Sequence, residues 1–369
     1  MRKGLWALAG TVLLMAAACG SSGNGNTNGS GSGPLKVAFI LDGPINDGGF
    51  NQGIYNGIQQ LQQHFGSKVQ ATYKQNIPEN PQSAQVIDSL IQGGNTVIFA
   101  TSYGYHTFVA KAAKANPDVK FMQYESTELA PNLSEYYFGI DQSWYLAGMT
   151  AGAATKSGHM GMVASFPIPA LLIQVNAFEL GAQSVNPQAT TRVIWLSSWY
   201  DPAKATQAAK SLVASGVDTL ANTMDDASVV QVAEQNNVPV VGHDLDQEKF
   251  APNSWLTGAM FVNGPYFIRE VGDALNGSWK SENFFGELKD GVTALAPFGK
   301  AYQTDVPSDV KSQLQQKLSA LKQGTFDDFT GPISDQNGKV QVPAGHVMTA
   351  TEKEQMNFLV QGVLGTLNT

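Results

Sequence analysis

The sequence predicts an α/β protein made of two doubly wound parallel-sheet lobes joined by a multi-strand hinge. Three observations predict it. Short β-branched runs alternate with longer amphipathic stretches from residue 35 onward, and repeated strand-then-helix units build parallel sheets covered on both faces. The alternation breaks into two sets near 139–143, while a helical stretch at 264–277 returns to the first set. About 350 residues follow Cys19, a length that suits two domains of ordinary size.

The strands of the first set are expected at 36–41, 69–73, 96–100, 119–124 and 136–140, with helices at 51–64, 83–92, 105–115 and 144–155. Those of the second are expected at 159–166, 192–197, 217–222, 238–242 and 255–262, with helices at 170–184, 203–214 and 227–236. Beyond Trp279 the pattern suggests a hairpin at 286–298, a helix at 308–323 and a C-terminal helix at 351–364. The expected division is a leader at 1–18, a linker at 19–33, a first lobe at 34–142 with about 263–285, a second at 143–262 with about 286–345, and a C-terminal helix within 346–369. Asn263-Gly264-Pro265-Tyr266 reads as one hinge crossing. Ligands of doubly wound sheets sit beyond the carboxyl ends of the strands, so the cleft should be lined by strand-end loops.

Arg2 and Lys3, an apolar run at 5–15, and Ala16-Ala17-Ala18 before Cys19 have the order of an export signal. An apolar run of roughly 11 residues falls short of the about 20 needed to span a bilayer. Cys19 is the single cysteine of the chain and can form no internal disulfide; its place after three alanines resembles a bacterial lipobox, which makes it the expected lipid anchor to the outer face of the cell membrane. Residues 20–33, GSSGNGNTNGSGSG, offer no apolar side chain and read as a flexible tether with a reach of roughly 20 Å. The formal charge of −8, with no basic run after the leader, argues against nucleic acid as a partner. Five histidines never form a paired metal motif, and no Gly-x-Ser-x-Gly elbow occurs in the folded region, so a binding protein is expected rather than an enzyme, with no cofactor.

The first strand-end loop, 42–53, carries the richest set of candidates. Its glycines let backbone approach a ligand, Asn46 and Asp47 offer acceptors, and Phe50 with Asn51 opens a helix. Asp47 suits a helix cap equally well. Ser102 and Tyr103 follow the 96–100 strand, and Phe166 follows the 159–166 strand, where Pro167 and Pro169 shape the loop. Trp199 is either a cleft ring or a staple for a helix that Asp201 caps with Pro202 at its first position. Asp244 and Asp246 suit hydroxyl contacts or turns.

The stretches LDGPINDGGFNQG, YYFGIDQSWYLAGMTAG, SSWYDPAKA, VPVVGHDLDQ and ALNGSWKSENFFG, in this order and spacing, resemble the basic membrane lipoprotein family. Its members are purine nucleoside receptor-like binding proteins of ABC transporters, with a type I periplasmic-binding-protein fold. The resemblance implies that Phe50, with Asn51 beside it, and Trp199 stack on the two faces of a base, and that Asp244 holds ribose hydroxyls. It further implies a monomer that captures a purine nucleoside or nucleobase and presents it to an ABC permease. The family's base-contacting aspartate falls on Leu41, with Asp42 one residue later, and its lysine of the second lobe falls near Phe261-Val262-Asn263. A bare nucleobase or related heterocycle fits those departures. A sugar ligand, or a membrane signalling partner in place of a permease, are the other readings.

Overall fold

The computed structural model describes residues 33–126 and 128–367. The expected leader, Cys19 and most of the expected linker lie outside the described residues. In chain order the elements begin β1 (Leu35–Ile40), α1 (Phe50–Phe65), β2 (Val69–Lys74), α2 (Gln82–Gln92), β3 (Val97–Ala100), α3 (His106–Ala115), β4 (Lys120–Tyr124), β5 (Leu133–Phe138) and α4 (Asp141–Ala154). They continue with β6 (His159–Ala164), α5 (Pro169–Val185), β7 (Thr190–Trp195), α6 (Pro202–Ala214), β8 (Thr219–Asn222), α7 (Ser228–Asn236), β9 (Val240–Asp244), β10 (Trp255–Phe261) and α8 (Asn263–Asn276). The last are β11 (Asn283–Gly286), β12 (Thr293–Leu295), α9 (Lys300–Asp305), α10 (Ser308–Lys322), β13 (Ile333–Ser334), β14 (Val340–Val342), α11 (Ala350–Glu354) and β15 (Val363–Leu364).

Two sheets organise them. The first runs β2-β1-β3-β4-β5-β11 and is parallel throughout; the second runs β15-β7-β6-β8-β9-β10-β12, with only β12 antiparallel. The near-continuous apolar character of Val37–Leu41 and Val97–Ala100, all buried, is what a strand covered on both faces requires. The Phe39 and Phe99 rings stack at 4.6 Å under Phe267 of α8, which fastens that returning helix to the first sheet. In the second lobe α4 lies directly on α5. A side chain at Gly148 would put its Cβ 2.0 Å from the Phe178 carbonyl oxygen, so only glycine permits this approach.

The chain passes between the sheets three times: from β5 into α4, from β10 into α8, and from β11 to β12. The third passage replaces the expected hairpin at 286–298. β11 pairs in parallel with β5 while β12 pairs antiparallel with β10, because the Glu287–Gly291 turn hands the chain from one sheet to the other.

The expected C-terminal helix also takes another form. Helix persists only over Ala350–Glu354, opened by a Thr349–Glu352 capping box. Met356, Leu359, Val360 and Val363 are all buried and spaced as a helical face would be. They are held as extended chain because the Asn176 amide of α5 donates to the Phe358 carbonyl at 2.8 Å and accepts from the Val360 N–H at 2.9 Å. Val363–Leu364 then joins the edge of β7. Tertiary hydrogen bonding wins over a periodicity that was helical in spacing alone.

Candidate ligand-binding site

Strand-end loops of both lobes contribute to one cavity, lined by Asp42, Phe50, Ser102, Tyr103 and Tyr124 from the first lobe and by Leu171, Gln174, Trp199, Asp225 and Asp244 from the second, among others. Two contacts bring the rims together. Gln247 Nε2 donates to the Gly48 carbonyl at 2.7 Å. A Cβ on Gly49 would fall 2.5 Å from the Asp225 carbonyl carbon, so glycine is required where the two lobes touch.

Phe50 stands in an aromatic box, edge-on to Tyr124 at 5.7 Å and to Phe261 at 5.8 Å. Trp199 packs on Phe166 at 4.9 Å between centroids and is held from behind by the Asp225 N–H, which donates to its carbonyl at 3.0 Å. Phe166 with Trp199 also lines an adjoining, more polar cavity that shares Asp42 and Asp225. As the sequence suggested, Asp201 caps α6, accepting from the Lys204 N–H at 3.0 Å with Pro202 at the first helical position. That cap leaves Trp199 on the cavity wall rather than inside its own lobe.

The acidic candidates separate. Asp47 is buried and spends both oxygens on the start of α1, accepting from the Gly49 N–H at 2.9 Å, the Asn51 N–H at 2.9 Å, the Gln52 N–H at 3.0 Å and the Asn51 amide at 3.1 Å. Asn51 in turn accepts from the Gly43 N–H at 3.2 Å and fixes the loop. Both shape the loop from below and neither lines the inner cavity, though Asn51 reaches the adjoining one. Asn46 is exposed, outside both cavities. Asp246 is exposed too and accepts from the Glu248 N–H at 2.9 Å, which makes it a turn-former.

Asp244 is 1% exposed and lines the cavity, and its φ of 69° places it in the left-handed region that aspartate tolerates at a cost. Neither of its carboxylate oxygens meets a hydrogen-bond donor among the described residues, and one oxygen of Asp42 is likewise unpartnered. His243 Nδ1 lies 3.1 Å from Asp244 without hydrogen-bond geometry. Burial pushes the His243 ring down to about 3, so it faces Asp244 neutral. Burial, then the charges of Asp47 and Asp42, drives the Asp244 carboxyl well above the usual range. Asp225 is raised likewise, by burial and then by Asp244, Asp42 and Asp47. Asp42 is pushed up to about 6 by burial and by Glu79. The cavity therefore concentrates acceptors that repel one another, and its walls carry neither lysine nor arginine.

Ser102 lines the cavity with its hydroxyl donating to Glu79 Oε1, and Tyr103 stands half-exposed at the mouth. Asp42 and Asp225 are the principal residues that reading the sequence left unassigned. Both follow a strand directly or nearly so, the position where doubly wound sheets present their ligand groups, and the Asn222–Asp226 loop after β8 carries that signal openly. Gln174, inside a helix, carries no such signal. Among the described residues no group of acidic, histidine or cysteine side chains has the arrangement of a metal site, and no helix is long and apolar enough to cross a membrane.

A solute-binding protein of an ABC transporter system from Conexibacter woesei has the same fold, with a TM-score of 0.68 at 22% identity over 79% of this chain and 98% of its own. One from Aeropyrum pernix K1 has a TM-score of 0.67 at 17% identity, over 80% and 93%. The fold is thus that of the type I periplasmic binding proteins. A purine-binding protein from Brucella abortus (strain 2308) is 36% identical over 329 residues, 89% of this chain and 93% of its own. A Haloferax volcanii protein whose name refers to glucose binding is 31% identical over 237 residues, 64% of this chain and 61% of its own. Residues 35–330 match the family described as Bmp, ABC transporter substrate-binding protein PnrA-like. The chain belongs to the Bmp family of PnrA-like ABC transporter substrate-binding proteins.

Proposed function

We propose that this substrate-binding protein captures a purine nucleoside or nucleobase between its lobes and presents it to the permease of its transporter, as a monomer tethered through Cys19 to the outer face of the cell membrane. The observation that carries the ligand reading is one cavity with half-buried rings from opposite lobes, Phe50 and Trp199, and unpartnered carboxylate oxygens on Asp42 and Asp244. A flat heterocycle satisfies both features, with its faces against the rings and its N–H and hydroxyl groups on the acids. Clustered carboxylates without a cation oppose a phosphate, which favours nucleosides and bases over nucleotides. The purine-binding relative from Brucella abortus supports the same class.

Each ring contributes about 0.5–1.5 kcal/mol beyond area burial, and each hydrogen bond to a carboxylate about 1.5–3 kcal/mol. With association costs included, Kd falls between about micromolar and nanomolar. Contacts from both lobes favour closure by their difference between open and closed forms. The tether rests on the leader and on Cys19 after three alanines.

A thermal-shift screen of nucleosides, nucleobases, nucleoside monophosphates and sugars, using protein that begins at residue 34, tests the ligand class. Stabilisation by purines and none by monophosphates is expected. Stabilisation by glucose alone would replace the purine with a sugar, the reading favoured by the Haloferax volcanii relative. Incorporation of labelled palmitate that is lost in Cys19→Ala tests the anchor; no incorporation in the unaltered chain would refute it.

A further inference from the structure

We infer that Gln174 reads the edge of the bound heterocycle, pairing with the exocyclic group and neighbouring ring nitrogen of a purine; this rests on the purine reading of the cavity. Gln174 lies near the start of α5, is 4% exposed, and lines the same cavity as Phe50, Trp199 and Asp244. Its Oε1 has no hydrogen-bond partner among the described residues.

The surroundings of α5 make that notable. Leu171, Leu172, Ile173, Val175, Ala177 and Phe178 are buried around it. The next two buried polar residues of the helix are both engaged. Asn176 holds the backbone of Phe358 and Val360, and Glu179 accepts from Thr191 Oγ1 and Gln183 Nε2. Gln174 alone of the three keeps its acceptor unpaired, at a position where an apolar side chain would suit the helix better. Buried polar groups are normally paired, so its partner is sought in what enters the cavity.

The chemistry follows from the lining. At neutral pH the Asp42 carboxylate only accepts, so it serves N–H and O–H groups but leaves the acceptors of a heterocycle unserved. A side-chain amide holds a donor and an acceptor in one plane, and such an amide pairs with the adjacent donor and acceptor of a purine edge. By turning over, it meets a 6-amino or a 6-oxo group equally. The unsubstituted ring offers it only half of that pair.

The test is calorimetry of adenine, hypoxanthine and unsubstituted purine against the unaltered protein and Gln174→Met, a change close to volume-conserving. Adenine and hypoxanthine are expected to lose roughly tenfold or more in affinity, while unsubstituted purine loses about threefold or less. Gln174→Asn, which withdraws the amide by one methylene, is expected to lose the same discrimination and stands in should the methionine variant fail to fold. Equal losses for all three ligands, or none, would overturn the role of Gln174 while leaving the purine reading in place. If none of the three binds the unaltered protein, both fall together.

Discussion

Lys353→Met is the perturbation whose size the structure fixes most closely. The Lys353 ammonium is buried and lies 2.7 Å from Asp141 Oδ2, with Asp327 at 3.4 Å, Asp328 at 3.8 Å and Glu287 at 3.9 Å. Burial alone would lower its pKa, but the Asp141, Asp328 and Asp327 charges outweigh that and hold the amine protonated. Asp141 begins α4 just after the first passage between the sheets, and Glu287 opens the third, so this one cation joins two of the three. Removing it leaves the fully buried Asp141 carboxylate without its partner, which costs about 3–5 kcal/mol. Urea unfolding of ligand-free protein, followed by circular dichroism, should give a midpoint about 1–2 M lower, given a slope of roughly 3 kcal/mol/M. Lys353→Met combined with Asp141→Asn should recover at least half of the loss, because the stranded charge goes with its partner. A single-variant loss below about 1 kcal/mol, or a double variant as poor as the sum of the two singles, would refute this account.

Other expectations follow from the cavity and the core. Trp199→Ala should weaken purine binding tenfold or more by calorimetry with little change in Tm, since the ring is only half-buried; unchanged affinity would remove it from the ligand contacts. Asp42, raised from 3.8 to about 6, keeps its proton in the folded state where the unfolded chain has lost it. Its contribution is therefore full below pH 3.8 and lost as pH rises through about 6, a loss on the order of 2–3 kcal/mol. Asp42→Asn should flatten the fall in Tm between pH 4 and 6.5 and stabilise the empty protein at pH 7, while weakening its ligand; an unaltered pH profile would contradict this. For the same reason a hydrogen-bond-donating ligand should bind less tightly below pH 6 and release protons on binding, measurable as a dependence of the calorimetric enthalpy on buffer ionisation. Gly148→Val should leave little soluble protein, because no movement short of separating α4 from α5 relieves the clash with the Phe178 carbonyl; a variant with ordinary Tm would refute it.

Most of the scaffold was legible because its elements carry local signals. The buried apolar runs at β1 and β3 and the amphipathic α1 and α8 announce themselves by period, and the return of α8 to the first lobe follows from the order of strands. The region past Trp279 was not legible. There the chain trades local pattern for long-range bonds, such as the Asn176 amide that holds Phe358 and Val360 from 180 residues away or more. In the site, the aromatic residues Phe50 and Trp199 could be placed by their loops, but Asp47 and Asp244 were indistinguishable as letters. Asp47 has four N–H donors within reach and Asp244 has none, a difference that arises only once the α1 loop closes on itself. Lys353 shows the same limit. A lysine in a polar C-terminal stretch reads as solvated, and only the fold surrounds it with acids.

The pairing of Val363–Leu364 with Thr191 and Arg192 also bears on whether the second sheet can grow sideways. β7 would otherwise end its sheet with open backbone N–H and carbonyl groups, a template on which another chain can add a strand. Val363 and Leu364 cover that border with a strand only two residues long, so the protein carries its own stopper against lateral growth of the sheet. A chain ending before residue 356 would be expected to self-associate through this border even with its ligand cavity whole, and the state of the C-terminus becomes the first thing to check in any preparation that aggregates.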